Sequence, residues 1–588
     1  MCGILGGNNP KWDYKSAIDT MRYRGPDGQR VRSFGDVTFA FARLAIMDLN
    51  ERAMQPMDSA DGLVHIVFNG EIYGFGELRK ELAGEYKFNT TSDTEVILNA
   101  YLKYGDSFID HIDGMFAIAI YDERDRRIRL YRDRPGIKPL YYYFHDGEFA
   151  FSSELKGIAS LIGEERLDID DTAICDYLHY QYIPCPKSLY KDVYKLPPAH
   201  RLVFDVGQKR MSVAEPYWEL KVNGTAARKR SEADVSDTLR MLIRRSVKDQ
   251  MVADVPVGTF LSGGVDSSIV TYESSRLNPD IRAFTMGFED KDFDETDFAR
   301  LMTDRYQLNA ISEILGDKDL KETKGRLKEW YDEPFADTSA YPTYRVSQLA
   351  KKHVTVVLTG DGGDELFGGY DRYERYLNNL KSPGREWRTI KQFIKYVLRY
   401  GGITSRLAEV AETAFNVYKR EQGMNLLYPN PAVESFLSKY DIPDDYDRAW
   451  YYRQNWNEEL PPMTRVRCLD FKTYMHDAVL TKVDRVSMQV SLESRVPLLS
   501  REIIEYAFSL SSEECCPGNR LKDCLKQAYI NEIPGEILYR PKMGFGVPYE
   551  YMRNEMMHGH MWLGVLINEW ETCSKLRNSE TAYGLNLQ

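Results

Sequence analysis

The sequence predicts an α/β protein in two parts: a layered α/β-sheet unit over about the first 200 residues, then a doubly wound parallel-sheet unit. Three observations predict this. The first half holds many short strand patterns and only two helix patterns. The second half alternates strand and helix, and its run at 353–358 is continuously apolar, as in a strand buried on both faces. The length of 588 residues exceeds what one core fills, so two or more domains are needed.

Bulk composition narrows the function. Hydrophobic content of 43% and charged content of 28% fit a soluble globular protein. A net charge of −12 argues against a nucleic-acid partner held by bulk attraction. Eight cysteines are scattered with no CxxC pair, and the adjacent Cys515 and Cys516 lack metal-ligand spacing, which points to a reducing, cytoplasmic setting. No stretch approaches the roughly twenty apolar residues of a membrane helix. The first thirty residues have no signal-type apolar core, so the mature terminus is expected close to Met1.

The chain opens Met1-Cys2-Gly3-Ile4-Leu5. Methionine removal would leave a thiol and a free α-amine on Cys2, and an amine with a pKa near 8 can act as base for its own side chain. Alone, a cysteine at position two is more commonly a free surface thiol near a frayed end. Residues 39–46 alternate as a strand with Arg43 among apolar neighbours, and 64–68 form another strand running into Asn69-Gly70-Glu71. Ser92-Asp93-Thr94-Glu95 has capping-box character before an apolar helix. Residues 113–132 read as a hairpin, and 132–140 as a structural turn. Proline breaks at 182–186 and 196–199 and the polar stretch 222–231 place a boundary near 205–230.

In the second half, Phe260-Leu261 ends a buried strand, Ser262-Gly263-Gly264 makes a tight turn, and Ser267-Ser268 opens a helix with a hydroxyl as cap. Paired glycines and a helix N-terminus suit an anion. Asp266 cannot hold phosphate directly, because like charges repel; it makes sense as a ligand for a magnesium ion that binds phosphate oxygens. Three acids in five residues, Asp361, Asp364 and Glu365, follow the apolar strand and also call for a cation, with Asp266 and Asp364 as its carboxylates.

These strings resemble known families. SGGVDSS is similar to the pyrophosphate loop of N-type ATP pyrophosphatases, which split ATP into AMP and pyrophosphate. The first half resembles the class II glutamine amidotransferase domain, an Ntn-hydrolase αββα sandwich. TGDGGDELFGGY and RPKMGFG resemble asparagine synthetase B, the glutamine-hydrolysing family. The resemblance implies a glutaminase domain at 2–205, a synthetase domain at 230–550 and a tail at 551–588. It makes Cys2 the nucleophile, with Asn69 and Gly70 as oxyanion hole, Arg43 on the glutamine carboxylate, and Glu71 and Asp93 on its ammonium. ATP would meet Leu261, Ser262, Gly263, Gly264, Asp266, Ser267, Met286 and Gly360. Asp361 and Lys542 would be catalytic, and Asp484 would lie on the acceptor side.

The implied reaction is ATP-dependent amidation of aspartate through an acyl-adenylate, with ammonia channelled from glutamine. Another carboxylate, such as a uronic acid of a bacterial surface polysaccharide, is the alternative acceptor. A homodimer is compatible with the resemblance. The sequence departs from the family where Tyr23 and Phe41 replace histidines, where Ser500 replaces an aspartate, and at Asp361, a glutamate in some members.

Overall fold

The computed structural model of the chain describes residues 1–223, 230–316, 318–319, 326–337, 339–381 and 436–544. The expected tail 551–588, the 545–550 end of the second domain and most of the polar linker (224–229) lie outside the described residues.

The strand Gly3–Gly7 follows the terminal cysteine at once, and all five of its residues are buried. It lies between Val37–Arg43 and Glu148–Ser152 in a six-stranded sheet, antiparallel to both. A second, seven-stranded sheet centres on Val64–Tyr73 and Asp113–Asp122, which pair from Val64↔Asp122 to Tyr73↔Asp113. The inner faces meet in an apolar layer that includes Ile4, Phe39, Phe41, Val67, Ala117 and Phe151. Helices cover both outer faces: Tyr14–Asp19 and Leu155–Ile162 on the first sheet, Asp93–Tyr104 on the second. This is the αββα sandwich. Phe41, one of the residues that replace a histidine, belongs to its inner layer.

The second unit holds five parallel strands in the order Asn309–Leu315, Arg282–Phe288, Val257–Phe260, Val356–Leu358, Glu493–Arg495. Chain order therefore reverses between Val257–Phe260 and Val356–Leu358. In a doubly wound sheet the crevice beyond the strand ends at this reversal is where ligands bind. The 353–358 run is shorter than expected. The His353 and Val354 amides donate to Ala350 O and finish the preceding helix, so regular strand begins at Val356.

Buried ion pairs join the two units. Arg24 reaches Glu154 and Asp484, both at 2.8 Å, and Arg485 reaches Glu154 at 2.9 Å and Asp332 at 3.1 Å. Tyr23 donates to Glu154 in the same cluster. Removing one partner from such a network leaves a buried charge unpaired, at a cost of about 3–5 kcal/mol, so the interface is held to one register.

Candidate active sites

At the first centre, Cys2 is half-buried and its Sγ stands 3.8 Å from Leu44 O. Its backbone N–H donates to Asn69 Oδ1 at 2.8 Å. Asn69 lies wholly buried in Val64–Tyr73, and its Nδ2 has no hydrogen-bond partner. A buried amide donor without an acceptor is rare and costly, and here it belongs to the side chain that accepts the Cys2 amide. Gly70 has a φ of 153°, and a Cβ there would stand 2.7 Å from Phe116 Cα of the paired strand. Burial raises the Cys2 thiol above its ordinary pKa, against the pull of the nearby terminal ammonium.

Arg43 donates to Asn50 O at 2.8 Å and to Asp48 O. Those carbonyls fix its direction without cancelling its charge. Asp93 begins the helix Asp93–Tyr104 and accepts from the Ile72 amide at 3.1 Å. The expected capping box is only half present: Ser92 caps the Thr94 amide, but Glu95 turns back to the Asn89 and Thr90 amides. Burial pushes the Asp93 carboxyl up to about 6. Burial, reinforced by the Asp93 and Glu493 charges, raises Glu71 well above the carboxylate range. Two buried acids with raised pKa values make a site that a cation would relieve.

The second centre is a cavity of about 1100 Å³ at the strand reversal. Leu261, Ser262, Gly264, Asp266, Ser267, Met286, Gly360, Asp361, Asp364 and Lys542 all line it. Gly263 does not; its φ of 72° makes the turn, and a Cβ there would stand 2.7 Å from the Ala299 amide. The helix starts earlier than expected, at Val265, with Gly264 as N-cap and no side-chain cap. Ser267 Oγ meets Ser262 Oγ at 3.0 Å and ties the loop instead. The first amides of this thirteen-residue helix are thus left for an anion.

Asp266 and Asp364 approach closely because glycines make room. A Cβ on Gly363 would stand 2.5 Å from the Asp266 carboxylate. Lys522 lies between the two acids, 2.6 Å from Asp364 Oδ1 and in contact with Asp266, and Lys542 also contacts Asp364. Burial pushes the Asp364 carboxyl up, but the two lysines outweigh it and hold it well below the usual range. Asp266 is raised instead, by burial and by Asp364, with Lys522 as its main relief. Asp266 Oδ1 remains a buried acceptor with no donor. Among the described residues no three acid, His or Cys groups converge as metal ligands, so a magnesium ion here would draw on two carboxylates and on phosphate and water oxygens.

Asp361 accepts from Thr359 Oγ1 at 2.7 Å. Asp484, expected on the acceptor side, is 2% exposed and bound to Arg24 across the domain interface; it is not among the residues that line the cavity. Lys522 belongs to no motif of the sequence. It sits at a φ of 55°, its amide on Phe367 O at 3.2 Å, and only this tertiary placement brings it to the carboxylates.

Comparison with known proteins adds two family matches and three relatives. The asparagine synthase family matches residues 238–572, and the glutamine amidotransferase domain family matches 1–218. The chain is 32% identical to asparagine synthetase [glutamine-hydrolyzing] 1 of Bacillus subtilis (strain 168), across 97% of this chain and 90% of that one. It is 34% identical to the putative asparagine synthetase [glutamine-hydrolyzing] 2 of Methanocaldococcus jannaschii, across 83% and 98%, and 26% identical to amidase chry2 of Gibberella zeae, across 93% and 86%.

Proposed function

The chain belongs to the glutamine-hydrolysing asparagine synthetase family of ATP-dependent amidotransferase ligases, and we propose that it transfers the amide nitrogen of glutamine to the side chain of aspartate. One observation carries this reading furthest. The strand Glu493–Arg495 stands between the two centres: Arg495 Nη2 lies 3.6 Å from Glu71 at the first, and Arg495 O accepts the Thr359 amide at the second.

At the first centre Met1 is removed and the Cys2 amine takes the thiol proton. The sulfur attacks the glutamine amide carbon, and the oxyanion forms against Asn69 Nδ2 and the Gly70 amide. Such a donor is worth roughly 3 kcal/mol in the transition state. The tetrahedral intermediate expels ammonia, and water then releases glutamate from the thioester. Arg43 holds the substrate carboxylate, and Glu71 and Asp93 its ammonium. Ammonia crosses within the protein, because in bulk water it would be protonated and lose its lone pair.

At the second centre the Ser262–Ser267 loop and the following helix hold the ATP phosphates. The acceptor carboxylate attacks the α-phosphorus and pyrophosphate leaves; ammonia displaces AMP from the acyl-adenylate. Asp361 faces that chemistry, and Lys522 and Lys542 offset charge on the departing groups. Asp266, with its orphaned Oδ1, and Asp364 would hold magnesium, which would supply charge neutralisation for the triphosphate. The cytoplasm is the compartment that offers both glutamine and ATP.

A second reading keeps the chemistry and changes the acceptor to another carboxylate, such as a uronic acid; the relative named an amidase favours it. Pyrophosphate release measured over a panel of aspartate and several uronic acids tests the assignment. Aspartate alone should stimulate it. Stimulation by a uronic acid and not by aspartate would overturn the aspartate reading.

A further inference from the structure

The interface between the two centres contains a carboxylate whose partner is expected to leave. The α-ammonium of Met1 is buried and ion-paired with Glu493 Oε2 at 2.6 Å, both groups fully shielded from solvent. The Met1 side chain lies in the apolar core, with Lys138 Nζ against its sulfur. Once methionine is removed, that contact to Oε2 goes with it. The other oxygen, Oε1, stays tied to Arg495 Nε at 2.7 Å, so the carboxylate keeps its place and its charge while Oε2 loses its hydrogen-bond partner, with Lys138, released from the Met1 sulfur, as the other cation that acts on it. The volume released is that of a whole methionine residue, several times the share of one water molecule.

The position of this pocket is specific. It opens one residue from Cys2, where glutamine nitrogen is released. It lies on the strand Glu493–Arg495, parallel to Val356–Leu358, whose next residues are Thr359, Gly360 and Asp361 of the second cavity. What now occupies it is a primary ammonium, which shares with ammonia its small size and its N–H donors.

We propose that Glu493 is a positioning residue for the transferred nitrogen: ammonia leaving Cys2 donates an N–H to Glu493 Oε2 in the space vacated by Met1, and is thereby held on the path to the acyl-adenylate. No bond to carbon or phosphorus changes at this station. The ammonia stays unprotonated, keeps its lone pair and is exchanged for the next acceptor. This rests on the two-centre reading above and adds a named group between the centres.

The test uses the full-length, methionine-processed enzyme and follows glutamate and AMP separately. In the unaltered enzyme one glutamate should form for each AMP. In Glu493→Gln the ratio of glutamate to AMP should rise by about tenfold, the scale of losing one hydrogen bond to a charged group, and Glu493→Asp should restore part of the coupling. A ratio still at one in Glu493→Gln overturns the proposal. Were that variant to misfold, Glu493→Asp decides the matter: its shorter reach should still leave the ratio of glutamate to AMP above one, and a ratio of one overturns the proposal. Failure of the underlying reading looks different, because then the unaltered enzyme forms no glutamate or no AMP.

Discussion

Replacing Asn69 by alanine separates a cost in catalysis from a cost in stability. In the folded protein Asn69 Oδ1 is satisfied by the Cys2 amide at 2.8 Å, whereas Nδ2 is buried without an acceptor. An orphaned donor weakens the resting fold by about 1–3 kcal/mol, and the bond at Oδ1 contributes about 1 kcal/mol. Truncation relieves the first, loses the second and adds a small void, so the terms largely cancel and the melting temperature should shift by only a few degrees, roughly. In the transition state the same Nδ2 meets the oxyanion. Its removal should lower glutaminase kcat about 10²–10³-fold, with KM for glutamine little changed, because the contact exists only there. Glutamate release assayed beside ammonia-dependent AMP formation reads both effects. Glutaminase activity within a few-fold of normal would refute the oxyanion assignment. A parallel collapse of both activities would show that Asn69 is structural.

The raised carboxyls of Glu71 and Asp93 predict a pH signature. With Asp93 at about 6 in the fold and near 3.9 unfolded, the folded state binds the extra proton between those values. The stability of the free protein should therefore fall as pH rises from about 4 to about 6. Glutamine should reverse this, with a thermal shift larger at pH 8 than at pH 5; an equal shift at both would rule out the ammonium site. Gly363→Ala drives a Cβ to 2.5 Å from the Asp266 carboxylate; AMP formation should be lost while glutaminase persists, and the exposed Gly84→Ala should be silent in both assays. Lys522→Met leaves Asp266 without its cation while Lys542 stays on Asp364, which should destabilise the metal-free enzyme by about 3–5 kcal/mol. Magnesium should restore much of that in a thermal melt, and no magnesium shift in either protein would discount the metal site.

Much of this was legible along the chain. A loop rich in glycine after a buried strand announces an anion site wherever it falls, and Ser262–Ser267 and Gly360–Asp364 do meet at one strand reversal. What local pattern could not show were groups defined by the other domain. Asp484 has the helical spacing of a surface acid, yet Arg24, 460 residues away in sequence, buries it. Lys522 follows no motif, and its left-handed φ occurs with its amide on Phe367 O. The helix starts two residues before the serines that suit a cap, because serine hydroxyls suit a cap and a phosphate loop equally well; here they bind each other. Glu493 gave no signal at all, since an acid in a three-residue strand is informative only once its partners across the interface are known.

The central claim is that nitrogen passes from Cys2 to the adenylating cavity without leaving the protein. The direct measurement supplies glutamine labelled with ¹⁵N in its amide together with an excess of unlabelled ammonium, and reads the isotope in the amidated product. Product carrying far more ¹⁵N than the bulk ammonium pool is the predicted result. Product labelled only to the level of that pool would contradict it.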